Sequence, residues 1–227
     1  MTYVAAIIPA YADLPAEIPV FPLSGALLLP QGRLPLNVFE PRYLAMVSDA
    51  LAAGRMVGMI QPDPVAEPGP TGPGLYRIGC LGRLTSFAET DDGRFLVTLS
   101  GVIRFRIADE LAMNHGYRRV RVEYDRFRDD RDLGETAGGI DRAALLAALR
   151  PFFRARGIEA NWDAVEQTAD SMLVLTLAMI CPFEPREKQA LLEAEDAPAR
   201  AAMLIALLQM GAHGAASDDL PPDTRPS

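Results

Sequence analysis

Lysine is nearly absent from this chain. Lys188 is the only one, and arginine carries almost all of the positive charge. The 22 basic residues are outnumbered by 30 acidic ones, giving a net charge of −8. That balance disfavours a general nucleic-acid surface or an anionic membrane as partner. Histidine is equally scarce: His115 stands in the turn-like Asn114-His115-Gly116, and His213 lies near the C-terminus. The two cysteines, Cys80 and Cys181, sit far apart in apolar surroundings. No CxxC or HExxH spacing occurs, so no metal site and no cofactor is predicted. Two buried free thiols in a reducing compartment are expected rather than a disulfide. Long apolar runs are missing too. Met172–Leu175 and Leu177–Ile180 are split by Thr176 and stopped by Pro182, well short of the roughly 20 residues of a spanning helix. Residues 1–12 are apolar and end in Ala10-Tyr11-Ala12, but they lack a basic start and are interrupted by Pro9. A cytoplasmic protein without a secretory signal is therefore expected.

Apolar residues make up 49% of the chain, enough for a folded core. From Ile18 to about Phe127 the pattern is extended. Arg33–Phe39 alternates around Pro35, and Met56–Ile60 reads as a buried strand. Leu75–Ala88 carries apolar residues with a bend or bulge at Gly79 and Gly82. Thr90-Asp91-Asp92-Gly93 is a hairpin turn, because Asp-Gly supplies the positive φ that a tight turn needs. Strands are predicted at Phe95–Leu99, at Val102–Ile107 and over Tyr117–Tyr124. About six strands at this spacing predict a closed or nearly closed barrel. One helix interrupts them. Pro41 suits its first turn, Tyr43, Leu44, Val47 and Leu51 form an apolar stripe, and Gly54 ends it. The stretch Pro62–Gly74, with five prolines and three glycines, is predicted to be a mobile surface loop.

Composition changes over Asp129–Gly139, and everything beyond reads helical. One helix places Leu145, Leu146, Leu149, Phe152 and Phe153 on a face, with Pro151 kinking or ending it. A second starts in a capping pattern at Asp163 and runs to Ile180. A short one opens at Pro185, and a last one is capped by Asp196, with Met203, Leu204, Leu207 and Leu208 inward and Gly211 as its stop.

The run Pro19-Val20-Phe21-Pro22-Leu23 through Pro35-Leu36-Asn37-Val38-Phe39-Glu40-Pro41-Arg42-Tyr43 resembles the N-terminal, substrate-binding domain of the Lon proteases. So do Gly79–Leu84, Ser100–Ile107, Pro182–Glu193 and Ala199–Leu208, in the right order over about residues 18–210. The resemblance implies an α+β fold: a PUA-like β-barrel with one inserted helix, followed by an α-helical bundle. The organisation expected is an N-terminal extension at 1–16, the barrel at 17–130, the bundle at 140–211 and a disordered tail at 212–227. It also implies binding of protein substrates without catalysis.

The catalytic parts of a full-length Lon protease have no counterpart in these residues. A phosphate-binding loop needs Gly-x-x-x-x-Gly-Lys-Ser/Thr, and Lys188 stands in Glu187-Lys188-Gln189 with no glycine loop before it. The Lon peptidase pairs a serine with a lysine base, and none of Ser24, Ser48, Ser86, Ser100 or Ser171 matches its motif. The adjacent acids Asp91-Asp92 and Asp129-Asp130 read as turn residues. Arg83, Arg104 and Arg106 read as ion-pair partners on strands.

The expected function is a non-catalytic module that binds unfolded or apolar polypeptide segments, an adaptor for a protease carried on another chain. The candidate peptide-binding residues are Phe39, Glu40, Arg42 and Tyr43, where a strand meets a helix at the edge of a groove. Their alternative role is structural, with the charges paired or capping the helix. An RNA-binding or ribosome-associated barrel is the rival reading, raised by the arginines from Arg118 to Arg128 and diluted by Glu123, Asp125, Asp129 and Asp130.

Overall fold

β-Branched and aromatic residues at alternate positions turn the first half of the chain into strands. The computed structural model describes residues 9–131 and 139–217. They form two compact units. The first takes the described residues up to 131 together with Glu184–Glu193, and the second takes the described residues 139–183 and 194–217.

The first unit contains β1 (Glu17–Pro22), β2 (Arg33–Val38), α1 (Pro41–Ala52), β3 (Met56–Ile60), β4 (Ile78–Glu89), β5 (Phe95–Asn114), β6 (Tyr117–Glu123) and the short α5 (Pro185–Glu193). The strands make one sheet in the order β2-β5-β4-β3-β1-β6, and β5 also pairs with β6. Pairings therefore run round a cycle β5-β4-β3-β1-β6-β5, which gives the sheet a barrel-like curl, and β2 stands outside that cycle on the early part of β5. Among the described strands, only β1 and β3 run parallel. Ile18, Val20, Cys80, Leu81, Ile103, Phe105 and Val120 are fully enclosed and form the centre of this core.

The α+β class and the strand-rich first part with one inserted helix stand as predicted. The two strands expected at Phe95–Leu99 and Val102–Ile107 are instead one 20-residue strand, β5. Gly101 does not break it. A Cβ there would lie 2.0 Å from the Leu29 carbonyl oxygen, so the glycine lets the segment before β2 pass against the strand. The expected bulge in β4 is present, with register shifts at Leu81/Gly82 and Leu84/Ser86. The helix α1 buries Tyr43 and Val47 of the predicted stripe together with Met46 and Ala50, and leaves Leu44 and Leu51 at the margin.

Polar groups are also built into this unit. Arg104 is buried and makes an ion pair with Asp130 at 2.7 Å, while its Nη1 donates to the Leu192 carbonyl. Asp130 is thus no turn residue. Lys188, on α5, donates to the Gly25 carbonyl at 2.8 Å. Gln189 donates to the Ile78 carbonyl, and Gln61 donates to both Pro185 and Gln189. These bonds satisfy buried donors and fix α5 against the strands.

The second unit holds α2 (Arg142–Ala155), α3 (Trp162–Gln167), α4 (Asp170–Ile180) and α6 (Ala197–Ser217). Leu145, Leu149, Phe152, Ala178, Leu204 and Leu208 are fully buried in it. Pro151 lies inside α2 without ending it. The helix expected to run from Asp163 to Ile180 is two helices. Asn161, not Asp163, caps the first by accepting from the Ala164 N–H, and the chain breaks at Thr168-Ala169. The Arg142 guanidinium donates to the carbonyls of Val165, Glu166 and Thr168, satisfying acceptors that the break leaves open. Gly211 does not stop the last helix. A Cβ there would meet Phe152 at 2.5 Å, so the glycine allows close packing, and α6 continues to Ser217. Residues 132–138 of the predicted linker and 218–227 of the predicted tail lie outside the described residues.

Candidate functional site

The chain turns from strand to helix within two residues, since Val38 ends β2 and Pro41 opens α1. Glu40 occupies the helix N-cap but its side chain makes no capping bond. Its carboxylate instead accepts from Arg42 Nε and Nη2 at 3.0 and 2.8 Å. Both side chains are about half exposed, so the pair adds little stability. The Arg42 guanidinium lies 4.5 Å from the Tyr43 ring centroid, and that ring lies 4.2 Å from Phe21. Burial pushes the Tyr43 phenol above its ordinary pKa.

Arg42 and Tyr43 line a cleft of about 170 Å³ with Pro22, Pro73, Tyr117 and Arg118. Pockets for drug-sized ligands are roughly 300–1,000 Å³, so this one suits a single side chain. One wall is the proline-rich 62–74 segment, which is tied down. Arg118 Nη1 donates to the Pro73 carbonyl at 2.7 Å, and Arg118 Nη2 and Thr71 Oγ1 both donate to Glu110, at 2.6 and 2.7 Å. Desolvation pushes the Glu110 carboxyl up, but these hydrogen bonds outweigh it and hold the group below its ordinary range.

The opposite wall is the β5–β6 turn, fastened to α1 through Asp49. Tyr117 Oη and Asn114 Nδ2 donate to Asp49 Oδ2 at 2.8 and 3.2 Å, and His115 Nδ1 lies 2.9 Å from the same oxygen. The hydrogen bonds from Tyr117 and His115 lower the Asp49 pKa. A carboxyl depressed in the folded state stabilises it above its unfolded pKa, near 3.9, and that contribution disappears as pH falls through the folded value. Asp49→Asn is therefore expected to lower the melting temperature at pH 7 and to narrow the gap from wild type as pH drops below about 4. Thermal unfolding at stepped pH checks this, and a gap constant across the series would contradict it.

A second surface lies at the free end of the sheet. Phe39, Phe87 and Leu96 are 62%, 42% and 45% exposed. Register places Phe87 with Phe95 and Val97 on the face that continues into the core, and the two phenylalanine rings meet edge to face at 5.0 Å. Phe39 and Leu96 fall on the opposite face, where Arg94 lies 6.0 Å over the Phe39 ring. This arm of β2, β5 and β4 thus shows apolar side chains on both faces, turned by Thr90–Gly93, with Gly93 at φ +78°. The four residues singled out from sequence separate here: Arg42 and Tyr43 line the cleft, Glu40 is engaged by Arg42, and Phe39 belongs to the arm. Phe87 and Leu96 were not singled out. Their alternation runs up to the hairpin turn, but how far the hairpin outruns the core is a tertiary fact.

The arginines of β6 are answered by carboxylates. Arg118 pairs with Glu110, Arg119 with Glu17, and Arg121 with Glu17 and Asp109, while Arg128 beyond the strand pairs with Asp125. These pairs answer the arginines from Arg118 to Arg128 apart from Arg126, which disfavours the RNA reading. Among the described residues no helix is long and apolar enough to cross a membrane, and no group of three or more His, Cys, Asp or Glu is placed to hold a metal.

Comparison with known proteins points one way. The family described as ATP-dependent protease La (LON) substrate-binding domain matches residues 17–210. Lon protease 2 of Myxococcus xanthus is 26% identical over 200 residues, covering 86% of this chain and 24% of that protein. Lon protease of Anaeromyxobacter dehalogenans is 25% identical, covering 86% and 23%. The chain spans about a quarter of the length of these curated relatives. The crystal structure of a Lon N-terminal domain protein from Xanthomonas campestris shares the fold, with a TM-score of 0.58 at 22% identity over 84% of this chain and 97% of that one. The N-terminal domain of a Mycobacterium avium complex Lon protease gives 0.58 at 17% identity, over 90% and 100%.

Proposed function

The chain belongs to the ATP-dependent protease La (LON) substrate-binding domain family, and on that premise we propose that it is a non-catalytic module that binds unfolded or extended apolar polypeptide segments. The observation that carries the reading is the arm, where Phe39, Phe87 and Leu96 hold large apolar surface in water. A folded client keeps its apolar side chains inside, whereas an unfolded one offers them to such a surface. Binding to one segment is weak, on the order of micromolar, because ordering a flexible chain offsets much of the burial gain. The module works in the cytoplasm as an adaptor that hands clients to a protease on another chain. The cleft beside Tyr43 takes one side chain of the bound segment.

The test is a titration of a labelled, chemically unfolded client against wild type and the triple variant Phe39→Ser, Phe87→Ser, Leu96→Ser. These residues are exposed, so the variant is expected to keep the wild-type circular dichroism spectrum. Losing most of the apolar contact should weaken binding by about tenfold or more. Unchanged affinity in a folded variant would overturn the assignment of the arm.

A further inference from the structure

β2 has an open side. Among the described strands it pairs only with β5, and the pairing fixes which backbone groups face outward. The Gly101 N–H donates to the Gly32 carbonyl at 2.8 Å, and Leu34, Leu36 and Val38 lie opposite Leu99, Val97 and Phe95. Even-numbered residues thus turn their N–H and C=O toward β5. Arg33, Pro35 and Asn37, all exposed, turn theirs to the open side. Pro35 lacks an N–H, which suits an edge strand. The edge still offers two donors, from Arg33 and Asn37, and three carbonyls.

The side chains around this edge are polarised along the strand. At its start the exposed Arg33 lies opposite Ser100 of β5 on the outer face. Arg33 has no carboxylate partner among the described residues, in contrast to the paired arginines of β6. At the far end stand Phe39 and, on the adjoining β5, Leu96, both on the outer face. An antiparallel strand laid on β2 would run from the Phe39 end to the Arg33 end, bringing its own C-terminal end to that guanidinium.

We propose that β2 captures an extended segment of about six residues as an added antiparallel strand, apolar at successive positions and carrying a carboxylate at the end beside Arg33. Phe39 and Leu96 on the outer face, and the part-exposed Leu34 and Leu36 of β2 on the inner one, ask for a ligand apolar on both faces. Such a run forms a buried strand in its own folded protein and becomes available when that protein unfolds. The carboxylate is the chain terminus or an Asp or Glu side chain. This rests on the polypeptide-binding reading above and adds the backbone geometry, direction and charge of the bound segment.

Fluorescence anisotropy with N-terminally labelled hexapeptides of alternating Val and Phe tests it on the full chain. Three peptides end in a free carboxylate, a carboxamide, or an Asp carboxamide. The free acid is expected to bind about tenfold more tightly than the plain amide, a typical gain for a charge-assisted bond, and Arg33→Glu should erase that preference while preserving the melting temperature. If the Asp carboxamide matches the free acid, a side-chain carboxylate serves as well as a terminus. If it matches the plain amide, the terminus alone is read. N-methylating alternate amides on the side facing β2 should abolish binding, while methylating the other set should not. Equal affinity for acid and amide, or equal loss from either methylated set, would overturn this proposal while unfolded-client binding persists. Loss of client binding itself would overturn the reading on which it rests.

Discussion

Asp130→Ala is expected to lower the unfolding free energy by about 3–5 kcal/mol. The side chains of Asp130 and Arg104 are only 8% and 5% exposed. The carboxylate accepts from the Arg104 backbone N–H at 2.9 Å and from its Nε and Nη2. Alanine would leave the guanidinium buried with its main counter-charge gone. The intact pair contributes less than this, because both charges were desolvated to make it. Arg104 also lies 4.7 Å over the Phe127 ring and donates to the Leu192 carbonyl, so the loss should spread to α5. Chemical denaturation should show the drop, with a melting temperature lower by about ten degrees or more. Asp130→Asn keeps an acceptor without the charge and should cost less. Asp125→Ala, at the exposed pair with Arg128, should change stability little. Equal effects at Asp130 and Asp125 would contradict the assignment of a buried pair.

Gly101→Val is expected to cost about 4 kcal/mol or more. The first atom of any side chain at this position would fall 2.0 Å from the Leu29 carbonyl oxygen and 2.8 Å from its carbon. These are backbone atoms, and the neighbouring Leu27, Leu28 and Leu29 are buried, so the clash cannot be relieved by turning a rotamer. Gly93→Ala makes a useful contrast. Gly93 has φ +78° but open space around its Cβ position, so its cost is the left-handed backbone alone, about 1–2 kcal/mol. Equilibrium unfolding of both variants should rank them in that order. The reverse order would mean that β5 and the segment before β2 do not pack as described.

Local patterns were legible where one residue set its own neighbourhood. Met56–Ile60, the Asp-Gly turn and the Pro41 helix start depend on nearby residues alone, and each lies where its sequence places it. Failures came where a distant partner decides. Ser100-Gly101 looks like a strand break until Leu29 is seen against it. Asp129-Asp130 looks like a turn until Arg104, 26 residues away, is seen to reach it. The two-helix reading of 162–180 needed Arg142, which holds the carbonyls at the break. The same limit applies to the candidate site. Phe39 and Arg42 are near neighbours in sequence, yet one joins the arm and the other the cleft. The Arg118–Arg128 run read as a charge stripe because its carboxylate partners, among them Glu17 and Glu110, come from other strands.

The central claim, recognition of unfolded polypeptide through apolar contact, is tested most directly by titrating one labelled client in its native and unfolded forms at two salt concentrations, beside a labelled single-stranded RNA. The account predicts binding of the unfolded form, on the order of micromolar, little change with salt, and no binding of the native form. RNA held by charge would instead weaken steeply as salt rises. Tight, salt-sensitive RNA binding with no capture of the unfolded client would contradict the account.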